Sequence, residues 1–463
     1  MHVTRQKRFK GGKKKLQKFN NCLFGGEIIK ISVPFLVLIG FIAGILTIEN
    51  FLIVPISLVF SALILFLARI HEVPENDRIF LFRLALGALL IRLLFILATH
   101  SFDTAFINYV NNSDALYYED MGKLIASAWQ DGRKVAIFTD NFGYYYWNGL
   151  IYYLVGFKPD LIRVLNSITS VCIGFNLYFI CLRLSSPKVA KISFFLAAYF
   201  PSSILWSSLN LKDSLIIFLI TLIVRLNLEL MERFVFNKVL LMSLLLMALV
   251  SLRFYVGILL AMCITLSYVF TATKFLWWQR FAYALTIFLI AGFALQQMGY
   301  GFLGTNYLFS QSVETIGEQH QVAAYGGAAF AGDAVFESYS DALKYLPTGI
   351  FYFLLGPLPW QAMGPMRIIT IPEMAFMYFL YFYFVIGVSQ LWHNQRGACL
   401  FLLIVITCFG LVYSLGSSNM GGLYRIRLQV YMIAFILISE GLQRSWALNR
   451  IFGRLRAIRS MPE

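Results

Sequence analysis

"IFLFRLALGALLIRLLFILAT", residues 79–99, is a run of 21 residues in which only Arg83 and Arg92 are charged. As an α-helix rising about 1.5 Å per residue it reaches roughly 30 Å, the hydrocarbon thickness of a bilayer. It lacks the ten-residue alternation of an outer-membrane barrel strand. Runs of the same kind recur at 28–48, 52–70, 161–183, 190–208, 213–230, 238–252, 256–272, 279–298, 373–391, 398–416 and 427–443. The pattern predicts an all-α polytopic membrane protein with about twelve transmembrane helices. Composition agrees: 59% of the 463 residues are hydrophobic and 13% charged, against about 25% charged in an ordinary soluble domain.

The formal charge of +15 sits largely in the two ends, "TRQKRFKGGKKKLQK" (4–18) and "RSWALNRIFGRLRAIRS" (444–460). Basic flanks beside membrane helices read as cytosolic anchors near anionic lipid rather than as a nucleic-acid surface. With both ends inside, the connections holding Arg69 and Arg78, Arg183 with Lys188 and Lys191, Arg233 and Lys238, Lys274 and Arg280, and Arg396 all fall in the cytosol. That order predicts a plasma (inner) membrane protein with cytosolic termini and two long extracytoplasmic loops, 100–160 and 299–372. Five segments follow: a basic tail 1–27, a membrane module 28–298 containing the external loop 100–160, a flap 299–372, closing helices 373–443 and a basic tail 444–463. Within the flap, "AAYGGAAFAGDAVF" (323–336) suits a mobile cover. "ALKYLPTGIFYFLLGPLPW" (342–360) is too short and too broken by Pro and Gly for a span, so a re-entrant or interfacial helix is expected. Five of the six cysteines fall inside apolar runs, which excludes a disulfide framework.

The external loop contains "NNSDALYYEDMGKLIASAWQDG" (111–132). Ala115, Tyr118, Met121, Gly122, Ile125 and Ala128 recur at three- and four-residue spacings, as on one face of an amphipathic helix lying on the bilayer. Ser113 or Asn112 can cap it, placing Asp114 in the first turn, where helix N–H groups favour a carboxylate. A carboxylate held there can take a proton from an incoming hydroxyl; the alternative is a helix-start residue and nothing more. Arg92 is the second oddity. An arginine within a membrane helix usually faces a partner or a water-filled cavity, the alternative being to snorkel two turns to the outer headgroups. Lys212, Arg253, Arg425 and Arg427 stand at outer ends of spans, either as anchors or as phosphate ligands.

"LLIRLLFI" (89–96), "NSDALYYEDMGKLIASAWQDG" (112–132) and "YYYWNGLIYYLVGFKPDLIRVLNSITSVCIGFNLYFICLRL" (144–184) resemble the first helix, first external loop and second helix of the GT-C glycosyltransferases, in the branch of the protein O-mannosyltransferases and aminoarabinose transferases. The resemblance is good over residues 79–275 and weak beyond. It implies Asp114 as catalytic base, with Tyr117 or Tyr118 as the aromatic that follows it, and Glu119 and Asp120 a turn later as further substrate contacts. "YFPSSILWSSLNLKDSLIIFL" (199–219) resembles the family's later helix pair, which makes Lys212 a contact of the donor phosphate. Arg253 and the "YRIR" of "GGLYRIRLQVYMIA" (421–434), Arg425 and Arg427, resemble its basic positions, and Arg92 its arginine-bearing helix. The implied reaction moves a sugar from a polyprenyl-phosphate donor to a glycan, lipid or protein acceptor with inversion at the anomeric carbon. Two apolar spans precede the Arg92 helix, where the family commonly has none.

Neither a Walker A sequence nor an outer-loop D-x-D triplet is present, and "HEVPE" (71–75) lacks the second His of a zinc helix, so no nucleotide, metal or other cofactor is implied. Two rival readings stand beside the glycosyltransferase. A surface-polysaccharide polymerase or ligase fits "YGGAAFAGD" and "YRIR". A polysaccharide or lipid transporter would carry polar residues down several helices with a repeat symmetry, whereas here the acids cluster in an outer loop.

Overall fold

A computed structural model describes residues 73–101, 114–135, 142–270, 292, 338–358, 360, 367–416 and 418–445. The expected spans 28–48, 52–70 and, apart from residue 292, 279–298, the tail 1–27, most of the tail 444–463 and the flap sequence 323–336 lie outside them. Among the described residues the regular structure is helical: α1 Glu75–Ser101, α2 Ala115–Gln130, α3 Phe142–Val155, α4 Pro159–Leu184, α5 Pro187–Tyr199, α6 Pro201–Ser207, α7 Asp213–Glu232, α8 Phe236–Leu252, α9 Phe254–Phe270, α10 Tyr339–Leu355, α11 Arg367–Asn394, α12 Arg396–Gly416 and α13 Met420–Arg444. The chain divides at Leu94–Phe95 into two compact units. Most of α1 is the described part of the first.

Six of these helices, α1, α4, α7, α11, α12 and α13, are long and apolar enough to cross a membrane, or seven if α5 and α6 count as one bent span. The apolar span expected at 190–208 falls on a bent pair: α5 and α6 meet at 51°. Pro201 is the cause. It has no N–H to continue α5, and its ring keeps Phe200 extended (φ −64°, ψ 130°). The break leaves the first N–H groups of α6 without helical partners, and Glu373 Oε2 of α11 accepts from Ser202 N at 2.7 Å. The runs at 238–252 and 256–272 are helices of 17 residues each, shorter than the six.

Within the second unit α13 is central, packing on α4, α5, α6, α7, α11 and α12. The expected external loop 100–160 contains two helices instead of one. α2 and α3 pack closely because Gly122 and Gly149 face them: a Cβ on Gly122 would lie 2.5 Å from Asn148 Cβ, and one on Gly149 2.6 Å from Ile125 Cγ2. α10 matches the expected re-entrant segment in place and begins with a Ser338–Asp341 capping box. At its other end, the carbonyls of Phe353 and Gly356 accept from Arg427, that of Leu354 from Tyr381 and that of Leu355 from Tyr378. Side chains of α11 and α13 thus take the place of water at a helix end in apolar surroundings.

The two ends of α7 differ in chemistry. At its C-terminal end Arg183 of α4 forms a two-pronged pair with Glu232, and Lys238 and Arg225 both engage Glu229. Twenty residues, or about 30 Å of helix, away is Asp213, where the site lies.

Candidate functional site

α7 starts at Asp213, a carboxylate that is almost fully buried and therefore needs compensating charge. Arg425, near the start of α13, supplies it: Nε lies 3.0 Å from Asp213 Oδ2, while Nη1 donates to Asp114 Oδ2 at 2.8 Å. One guanidinium thus joins two carboxylates 99 positions apart in sequence (114 and 213). Arg253, in the extended link between α8 and α9, adds a second cation, with Nη1 at 3.9 Å from Asp213 Oδ1. At that distance no hydrogen bond forms, and among the described residues this buried Nη1 has no acceptor. Its guanidinium lies over the Tyr255 ring (5.5 Å). Lys212 completes the group, its Nζ 5.8 Å above the Tyr118 ring.

Asp114 is the open side of this cluster. It occupies the position before α2 rather than its first turn, and its side chain makes no cap hydrogen bond. The first helical bond runs instead from Tyr118 N to its carbonyl, and the carboxylate, 61% exposed, turns to Arg425. Tyr118 is buried edge-on against Tyr144 (5.0 Å). Burial pushes its phenol well above the usual range. Burial likewise drives Lys212 down to about 6, with Arg253 adding to the effect; a desolvated ammonium beside other cations sheds its proton.

The other expected site residues separate from this group. Tyr117 is exposed and meets the edge of Tyr145. Asp120 is exposed. Glu119 is buried and faces Arg163 Nη2 at 4.0 Å and Asn210 Nδ2 at 3.5 Å; burial raises its carboxyl, with Arg163 opposing. Arg427, two positions beyond Arg425, projects from a different face of α13, as residues i and i+2 do. It is fully buried between Tyr424 and Tyr431 and holds the α10 carbonyls described above. Arg92 belongs to the first unit, fully buried, with Nη1 donating to Ala88 O at 2.9 Å.

Sequence reasoning missed Asp213, although its signal was legible: it is the lone acid at the head of an apolar helix. It also missed a neutral layer beneath the cluster. Asn148, Asn166 and Asn210 are all fully buried and connect α3, α4 and the α6–α7 link. Amides inside apolar runs carry no charge to betray them.

The assembled chemistry is two carboxylates among three basic side chains at one end of the helices. The exposed carboxylate leads to mostly buried cations, one with an unused donor. No protein-family model and no curated protein matches the chain.

Proposed function

We propose that the protein is a GT-C-like glycosyltransferase that transfers a sugar from a polyprenyl-phosphate donor to a hydroxyl acceptor at the extracytoplasmic face of the plasma membrane. In this reading the chain crosses about twelve times with both termini cytosolic. One observation carries the proposal: Asp114, Lys212, Arg253 and Arg425, four residues from separate parts of the sequence, meet at one end of the helices. Transfer from a lipid phosphate needs that combination, a base for the acceptor and cations for the phosphate that leaves.

In the reaction Asp114 accepts the proton of the acceptor hydroxyl as its oxygen bonds to the anomeric carbon. The bond from that carbon to the donor phosphate breaks, and its electron pair stays on the phosphate oxygen. Attack opposite the leaving group inverts the centre. Arg425, Arg253 and Lys212 receive the developing charge. With Lys212 neutral the two arginines balance Asp114 and Asp213, and an entering phosphate favours protonation of Lys212.

Purified protein with a polyprenyl-phosphate sugar and a hydroxyl acceptor tests this by direct detection of transfer. Asp114→Asn keeps the shape and removes the base, so turnover should fall by roughly a hundredfold or more with donor binding nearly kept. Full activity in Asp114→Asn would remove Asp114 from the chemistry. Absence of transfer with every lipid-linked sugar offered would overturn the reading.

A further inference from the structure

The link from α6 to α7 is short, and side chains of α3 and α4 engage its carbonyls and Asn210 from below. Ser208 N closes α6 onto the Ile204 and Leu205 carbonyls, and Leu211 N then bonds to Leu209 O at 2.9 Å, a three-residue γ-turn centred on Asn210. Lys212 and Asp213 follow at once, with Lys212 already helical (φ −67°, ψ −14°). The direction in which both charges point is therefore set by the turn.

Two clamps hold that turn. From α4, the single amide nitrogen of Asn166 lies 2.9 Å from Leu209 O, 3.0 Å from Leu211 O and 3.0 Å from Tyr144 Oη. From α3, Tyr144 Oη donates to Asn210 Oδ1 at 2.7 Å, and Asn210 Nδ2 donates to Asn148 Oδ1 at 2.8 Å. Asn166 Oδ1 has no partner among the described residues, so the side chain is held by its donor end alone. In a buried layer such bonds are strong and their loss exposes carbonyls with no water to replace them.

We propose that Asn166 is a positioning residue for the site: by gripping both carbonyls of the 209–211 turn it fixes where Lys212 and Asp213 present their charges to Asp114, Arg253 and Arg425. It touches no reacting atom. The proposal rests on the glycosyltransferase reading only for what Lys212 does there; the placement itself is a separate matter.

The test reads the placement through proton linkage and so needs no activity. Lys212 faces Asp213 on its own helix, Asp114 and Tyr118 from α2, Arg253 from the α8–α9 link and Arg425 from α13. Its native value of about 6 lies below the 10.5 of an exposed lysine. Between those values the unfolded chain binds the extra proton, so the Lys212 contribution makes stability rise with pH across that window and flat below it. Melting midpoints of the full-length protein in detergent, from pH 6 to 9, should climb more steeply in wild type than in Lys212→Met.

In Asn166→Ala the turn relaxes, and this Lys212-dependent difference in slope should shrink by at least half. A merely structural asparagine would lower both curves together and keep the difference intact, which would overturn the proposal. Should Asn166→Ala fail to fold, Asn166→Ser, whose shorter side chain cannot reach both the Leu209 and Leu211 carbonyls, is read the same way, with an unchanged difference again overturning it. In sugar transfer, Asn166→Ala should lose roughly a hundredfold in kcat/KM, as misplacement by about 1 Å does. If wild type shows no transfer, the functional reading fails and the slopes still decide the role of Asn166.

Discussion

Asp114 and Asp213 share one arginine and should lose very different amounts of stability on substitution. Asp114 is mostly solvent-exposed and makes no cap bond, so Asp114→Asn removes a partly screened ion pair, a loss of stability under about 1 kcal/mol. Asp213 is 1% exposed and faces both Arg425 and Arg253. Asp213→Asn leaves two mostly buried guanidinium groups, at 12% and 14% exposure, beside a neutral amide, a loss of about 3 kcal/mol. Detergent-solubilised Asp114→Asn should therefore melt within a few degrees of wild type, and Asp213→Asn far below it. Adding Arg253→Met to Asp213→Asn should recover part of the loss, because one uncompensated charge goes with it. Equal melting of the two single variants would show that Asp213 is not the charge on which the cluster is built. The sequence disclosed the exposed partner more readily than the buried one, since Asp114 sits in a polar stretch while Asp213 reads as an ordinary helix start.

Elements were legible where hydrocarbon length or helical period decided them. α1, α4, α7, α11, α12 and α13 follow from runs long enough for a bilayer, and α2 from an apolar stripe of three- and four-residue steps. α3 was not, because "FGYYYWNGLIYYLV" has aromatic residues on nearly all sides and so no polar face to define a period. The bend between α5 and α6 was legible in Pro201 but hidden inside a hydropathy run. The arginines of "YRIR" were equivalent in sequence, and only packing separates them: Arg425 meets the carboxylates, while Arg427 holds the end of α10. Two distinct outcomes follow. Arg425→Gln should raise KM for the lipid donor or lower turnover by about 1 to 3 kcal/mol of transition-state stabilisation. Arg427→Gln should chiefly lower the melting temperature and open the Gly356 region to protease, with donor KM little changed in the protein that remains folded. A purely kinetic defect in Arg427→Gln would return it to the phosphate site.

Taken whole, the described helices have chemically distinct ends, and this bears on the proposed orientation. Arg183, Arg225, Lys238, Glu229 and Glu232 crowd the C-terminal end of α7, and Arg183 and Lys238 among them belong to the connections that the positive-inside bias assigns to the cytosol. Asp114, Lys212, Arg253 and Arg425 occupy its N-terminal end, some 30 Å away, so this end faces outward if the basic one faces in. α10 extends the argument to the flap. Its last carbonyls are gripped by Tyr378, Tyr381 and Arg427, a termination that needs no water. A helix that ends inside protein can enter and leave by the same face. Ser338, exposed at the start of α10, then shares the outer side with Ser127, exposed on α2. A thirteenth crossing through α10 would leave Ser338 on the side of Ser127 and carry Trp360, exposed beyond the end of α10, to the opposite side. Single cysteines at Ser127, Ser338 and Trp360, in a chain whose own cysteines are replaced, should all react in intact cells with a membrane-impermeant thiol reagent. Labelling of Ser127→Cys and Ser338→Cys, with Trp360→Cys reacting only after lysis, would make α10 a span and reverse every helix that follows it. Such a reversal cannot be reconciled with Arg425 reaching Asp114 at 2.8 Å, so the labelling also tests whether the two halves of the site meet on one side of the membrane.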